Sequence, residues 1–164
     1  MPAVPLPTPG SAVPQPLHLV VDAGARFRLS VYGVGLACCA VELVAATGLP
    51  GGAAADRSAD DDADRTGLEV VDVMVVAGTV TDRMAPALRA LYDAAPGVRV
   101  LSFGACSNTG GPYWDSYSVT KGIDQVVPVH VTVPGCPPRP EAVLGGLRAV
   151  LGLAGGPGAG QAPA

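Results

Sequence analysis

Cys38 and Cys39 stand side by side in Gly-Leu-Ala-Cys-Cys-Ala-Val-Glu, while Cys106 lies in Gly-Ala-Cys-Ser-Asn-Thr-Gly-Gly and Cys136 in Val-Pro-Gly-Cys-Pro-Pro-Arg-Pro. These are the 4 cysteines of the chain, and each sits at a glycine-rich break after an apolar run. Thiolates gathered around one point make a metal centre. Three chemistries compete for them. Structural zinc accepts an all-cysteine site but draws its ligands from paired C-x2-4-C knuckles, which this chain lacks. Disulfides are the second, and a bond between the neighbours Cys38 and Cys39 would strain the peptide that joins them. An iron–sulfur cluster is the third. A [4Fe-4S] cube is larger than a single ion, so ligands dispersed over separate loops suit it. Adjacent cysteines reach two of its corners where the backbone leaves a strand and turns into a helix. The bland alternative is that buried thiols pack as small apolar side chains.

A parallel sheet would gather such loops. Phe27 to Val34 has the branched and aromatic content of a strand, and Cys39 to Ala46 is apolar without a breaker until Gly48, as in a short helix. Val70 to Ala77 is a near-continuous apolar run, the pattern of a strand covered on both faces. Met84, Leu88 and Leu91 fall at helical spacing, with Thr81 or Asp82 as the expected cap and Pro96-Gly97 as the stop. Val98 to Phe103 and Val126 to Val133 read as further strands, Ser116 to Ile123 as a short helix, and Pro140 to Leu151 as the last helix. The alternation predicts an α/β fold with a parallel sheet flanked by helices. Function in such folds sits outside the carboxyl ends of the strands. Cys38, Cys106 and Cys136 all follow predicted strands, which places the thiols on one edge. A helix starting at the tandem pair would favour thiolates through its N-terminal field. Backbone N–H groups at Gly104, Ala105 and Gly135 are expected to donate to sulfur. Trp114 and Tyr117 are expected to pack over the Cys106 loop.

The bulk properties frame this. A chain of 164 residues makes one domain, read here as residues 18–153. A proline-rich, disordered lead covers 1–17, and a flexible Gly/Ala/Pro tail covers 154–164. Residues 51–66, with Asp60, Asp61, Asp62 and Asp64, read as an acidic, solvated insert whose spacing does not fit a calcium-binding EF-hand loop. A net charge of −4 without a basic patch excludes nucleic acid as a partner. Charged residues make up only 15% of the chain, as when subunits cover part of a surface. No run approaches the roughly 20 apolar residues of a membrane span. The N-terminus shows neither a basic n-region nor an apolar h-region, so a cytoplasmic chain with reduced thiols is expected, which favours metal ligation.

Four segments together resemble one family: G-L-A-C-C-A-V-E at 35–42, V-A-G-T-V-T-D-R-M-A-P-A-L at 76–88, G-A-C-S-N-T-G-G at 104–111 and V-P-G-C-P-P-R-P-E at 133–141. They are similar to the B subunit of NADH:quinone oxidoreductase, the small iron–sulfur subunit of respiratory complex I, itself related to small subunits of [NiFe] hydrogenases. The resemblance covers roughly residues 26–150 and implies a flavodoxin-like sheet with the cluster site at its C-terminal edge. It implies one [4Fe-4S] cluster with Cys38, Cys39, Cys106 and Cys136 as ligands, passing electrons toward quinone. The implied enzyme is the proton-translocating complex, in which the subunit acts only as a member. Implied partners are a hydrogenase-large-subunit-like protein that shares the quinone site and a ferredoxin-like subunit. The implied location is the cytoplasmic side of the cell membrane, peripheral through the complex. Alternatives within the resemblance are the small subunit of a [NiFe] hydrogenase-like complex and a non-catalytic paralogue that keeps a structural metal site. The chain departs from the family at 51–66, where a Pro-Arg-Tyr-Asp segment and an Arg-Phe-Gly turn are usual. It departs again at His130, where V-P-V-D is usual; His130 is read as a satisfied strand-end residue. Glu42, one helical turn from Cys38, is read as a locally hydrogen-bonded carboxylate or as a proton acceptor coupled to reduction. Arg83 and Arg139 are read as cations near the cluster or a partner, or as plain surface residues.

Overall fold

The computed structural model describes residues 17–22, 26–46 and 69–152. Branched, apolar runs build a sheet of five strands in the order β1 (Leu17–Asp22), β2 (Arg26–Gly35), β3 (Glu69–Ala77), β4 (Arg99–Phe103) and β5 (Val131–Val133). Strands β2 to β5 run parallel, so their carboxyl ends lie along one edge. Strand β1 pairs antiparallel with β2, from Leu17 opposite Val31 to Asp22 opposite Arg26. The sequence does not announce it, because proline-rich composition dominates that end of the chain. Apart from Leu17, the proposed lead lies outside the described residues, as do the insert at 51–66 and the tail.

Helices cover both faces because the central strands are apolar on both. Val73, Val75 and Ala77 of β3 join Leu101 and Phe103 of β4 in one buried layer, under helices α1 (Cys39–Ala46) and α4 (Pro140–Val150). Met74 and Val76 point the other way and pack with Val100, Ile123 and Val127 against Leu88 of helix α2 (Ala85–Asp93). The alternation is the period-two pattern of a pleated strand. Helix α4 lies close on the sheet at Gly146, where an added Cβ would stand 2.8 Å from Val133 and 3.0 Å from Leu101. The short helix α3 (Ala105–Thr109) follows β4 directly.

Three local expectations are corrected. Helix α2 begins at Ala85, not at a Thr81 or Asp82 side-chain cap; the Thr81 carbonyl accepts the Met84 and Ala85 N–H groups instead, and Pro86 occupies the first turn. Ser116 to Ile123 is not a helix. It is an irregular loop tied down by a bridge between Thr81 and Val119 and followed by a 3-10 turn at Ile123–Gln125. The strand expected over Val126 to Val133 shrinks to Val131–Val133. Pro128 has no N–H to give a ladder, and Val127 turns into the α2-side core. Among the described residues no helix is long and apolar enough to cross a membrane.

Candidate metal centre

The tandem pair is set by a close approach of two backbones. Leu36 leaves β2 with its N–H donated to the Ala77 carbonyl at 2.7 Å. Its own carbonyl then fills the place where a Cβ on Gly78 would stand, at a distance of 1.5 Å. Gly78 has φ +117°, so only glycine fits there on both counts. The chain next turns through Ala37 at φ +58°, a left-handed conformation that costs an alanine roughly 1–2 kcal/mol. Cys38 thereby faces outward and exposed, and Cys39 is buried as the first residue of α1.

Cys106 and Cys136 are set by hydrogen bonds instead. After β4, the Gly104 N–H donates to the Val133 carbonyl at 2.9 Å and the Ala105 N–H to the Gly135 carbonyl at 2.7 Å. These bonds bind the turn that carries Cys106 to the turn that carries Cys136. They also use the Gly104 and Ala105 donors expected to reach sulfur, because backbone carbonyls lie nearer to hand and are stronger acceptors. Cys106 is buried in α3, and Cys136 is exposed.

The thiols of all four cysteines share one locality. The pKa of Cys39 is pushed up to about 12, first by burial, then by the charge of Cys38 and a hydrogen bond to it, then by Cys106 and Cys136. Each of the other three sulfurs is thus an electrostatic neighbour of Cys39. Gly104 completes the arrangement: a Cβ there would stand 2.5 Å from the Cys39 sulfur, so its absence leaves the room beside that thiol. Among the described residues, no group of three or more His, Cys, Asp and Glu side chains is placed to hold a single metal ion.

The other residues singled out by the sequence are arranged as follows. Glu42 is half-buried on α1, and Arg83 and Arg139 are exposed. His130 is a satisfied strand-end residue, as expected: its Nδ1 accepts the Val100 N–H at 3.0 Å while its backbone N–H donates to the Val100 carbonyl at 2.9 Å. Trp114 lies with its Cα and Cβ beside Gly110 at the end of the Cys106 helix, whereas Tyr117 stands out in solvent. They are 60% and 98% exposed, and the Lys121 ammonium stands 5.5 Å from the centre of the Trp114 ring. A buried polar chain behind Cys106, made by Ser102, Ser107 and Asn108, is not foreseen from the sequence. A serine in the middle of the apolar β4 run is its only sequence signal.

Residues 38–150, from the first cysteine of the tandem pair to the end of α4, match the family model described as NADH ubiquinone oxidoreductase, 20 Kd subunit. The chain belongs to this family. Among curated relatives, the second NADH-quinone oxidoreductase B subunit of Streptomyces griseus is 51% identical over 142 residues, covering 82% of this chain and 56% of its own length. The B subunit of Amoebophilus asiaticus is 48% identical over 146 residues, covering 84% of this chain and 85% of that protein. The chain therefore spans little more than half of the Streptomyces protein. A solved archaeal structure titled membrane-bound sulfane sulfur reductase, a respiratory membrane complex, contains a chain that matches with a TM-score of 0.54 and 27% identity, over 75% of this chain and 68% of that one. The sheet flanked by helices is thus shared with a chain of that archaeal complex.

Proposed function

We propose that this member of the 20 Kd subunit family holds one [4Fe-4S] cluster on Cys38, Cys39, Cys106 and Cys136 and relays electrons toward quinone within an NADH:quinone oxidoreductase. The observation that carries the reading is that all four cysteines follow the carboxyl ends of three parallel strands, with the turn after β4 brought against the Cys39 sulfur at Gly104. Soft thiolate donors suit iron–sulfur chemistry. A four-iron cube needs more room than one ion, and the missing Cβ of Gly104 leaves space beside the Cys39 sulfur.

Each residue then has a stated task. The four cysteines supply charge and covalent attachment. Burial of Cys39 and Cys106 excludes water from one side of the site, while exposed Cys38 and Cys136 leave the other side open to a partner. The cluster, when bound, supplies one-electron transfer, and the protein sets its position and its surroundings. Catalysis belongs to the assembled complex: a hydrogenase-large-subunit-like protein would form the quinone site with this chain, and a ferredoxin-like subunit would deliver electrons. The chain would then sit on the cytoplasmic side of the membrane, attached through those partners.

A second reading has its own support. The sulfane sulfur reductase neighbour has the same fold in a complex named for another acceptor. The quinone-lining motif usual in the family is replaced at 51–66. Purification of the native complex followed by NADH oxidation with quinone, polysulfide or protons as acceptor separates the readings. Quinone-dependent turnover is expected, and turnover with only another acceptor would assign the chain to a paralogous complex. Iron and sulfide analysis of the same preparation tests the cofactor, with about four irons per chain expected.

A further inference from the structure

Behind the Cys106 turn lies a continuous polar chain in an otherwise apolar layer. Ser102 and Ser107 are both fully buried, and their hydroxyls stand 2.7 Å apart. Ser102 donates to Asn108 Oδ1 at 2.5 Å. It has only one hydroxyl hydrogen, so the bond between the serines must run from Ser107 to Ser102. Asn108 Nδ2 in turn donates to the Val133 carbonyl at 3.1 Å. That carbonyl also accepts the Gly104 N–H. The direction of every bond is therefore fixed: Ser107 to Ser102, Ser102 to Asn108, Asn108 to Val133. Among the described residues no buried side-chain nitrogen or oxygen is left without a partner, so the chain is complete within the protein.

Its two ends are informative. Ser107 directly follows Cys106, and Val133 precedes Cys136 by three residues on β5. Buried polar groups are costly unless fully paired, and a fully paired set rigidifies its surroundings. A stable core at this place would need only apolar residues. The arrangement instead ties one cysteine-bearing turn to the other through a side chain whose donor and acceptor ends cannot be exchanged.

We infer that Ser107, Ser102 and Asn108 form a positioning device that sets the Cys106 turn against the Cys136 turn. The inference rests on the cluster reading, because only a cofactor that spans both turns makes their separation matter. Asn108→Asp keeps the shape and the acceptor for Ser102 but loses the donor to Val133 and sets a carboxylate against a carbonyl. Asn108→Ala removes both bonds and leaves the Ser102 hydroxyl with Ser107 as its remaining partner.

The test uses the full chain purified anaerobically. Iron content, the EPR spectrum and midpoint potential of the reduced protein, and the rate of iron loss to a chelator are compared among wild type, Asn108→Ala, Asn108→Asp, Ser107→Ala and Leu88→Ala. Leu88 belongs to helix α2 and makes none of the bonds of this polar chain, so its truncation lowers the thermal midpoint while leaving those bonds in place. The expected result is an altered EPR line shape, a shifted potential and roughly 10- to 100-fold faster iron loss in both Asn108 variants, the range typical of lost outer partners at metal sites. Ser107→Ala should shift them less and in the same direction, and Leu88→Ala should leave the spectrum and potential as in wild type. Should the Ala variant fail to fold, Asn108→Asp and Ser107→Ala carry the comparison. Wild-type protein without iron would overturn the cluster reading itself. A wild-type cluster whose spectrum, potential and rate of loss are unchanged in the Asn108 and Ser107 variants would overturn the positioning inference alone. So would a Leu88→Ala spectrum altered as much as theirs.

Discussion

The two corners of the cysteine site are built on opposite principles. The tandem corner, Leu36 to Cys39, is defined by exclusion: a carbonyl occupies the space of a missing Cβ at Gly78, and Ala37 is held in a left-handed turn. The Cys106–Cys136 corner is defined by attachment, through backbone bonds from Gly104 and Ala105 and the amide of Asn108. Exclusion tolerates no substitution at the contact, whereas attachment is shared among several bonds and degrades in steps. The tandem corner should therefore fail abruptly and the other gradually.

Gly78→Ala should have the largest effect. The new Cβ would lie 1.5 Å from the Leu36 carbonyl oxygen, and backbone cannot yield that far without opening the β2–β3 edge. A destabilisation of about 4 kcal/mol or more is expected, read as a fall in denaturant midpoint with loss of iron. A variant within about 1 kcal/mol of wild type would show that the close approach does not define this corner.

Gly104→Ala comes next and tests where the corners meet. Its φ of +96° and the 2.5 Å approach to the Cys39 sulfur make strain and a displaced thiol. A cost of about 1–3 kcal/mol is expected, with reduced iron content in protein that still folds. Full iron content would separate the two corners more than the structure allows.

Ala37→Gly reverses the sign. Glycine adopts the left-handed turn freely, so the variant should be more stable by roughly 1 kcal/mol in thermal melting. Iron loss to a chelator should not slow in proportion, since the looser turn holds Cys38 less firmly. A destabilised variant would remove strain at Ala37 from the account.

The smallest effect belongs to His130, just before β5 at the strand ends opposite both corners. Burial and then Arg99 lower its tendency to protonate, and its Nδ1 can accept the Val100 N–H only when neutral. Its contribution to stability is thus fully present above the ordinary histidine value of 6.5 and is lost as pH falls through its lowered folded value. His130→Ala should flatten the pH dependence of the unfolding midpoint below pH 6.5, and an unchanged slope would contradict this role.

Much of this is legible in the sequence, and the limits are physical. The apolar runs of β3 and β4 and the helical spacing of Leu88 report their burial directly, because burial is what hydrophobic pattern encodes. The placement of Cys38, Cys106 and Cys136 after strands follows from the parallel topology. Apolar composition over Val126 to Val133 suggests a longer strand than Val131–Val133, because it hides the missing donor at Pro128. The donors at Gly104 and Ala105 point to sulfur only while their nearest acceptors are unknown, and a sequence shows donors without acceptors. The Ser102–Asn108 bond stays hidden because it joins a strand to the helix after it, a pairing set by the turn at Gly104 and by no residue spacing. Exposure of Trp114 and Tyr117 runs against the pattern because aromatic residues ordinarily signal burial.

The central claim is that both corners hold one and the same cluster. Low-temperature EPR of the reduced full chain, recorded for Cys38→Ala, Cys39→Ala, Cys106→Ala and Cys136→Ala beside wild type, tests it most directly. The account predicts one [4Fe-4S] signal that is lost or altered in all of these variants. A signal that survives unchanged in any one of them, or zinc in place of iron in the wild-type chain, would contradict it.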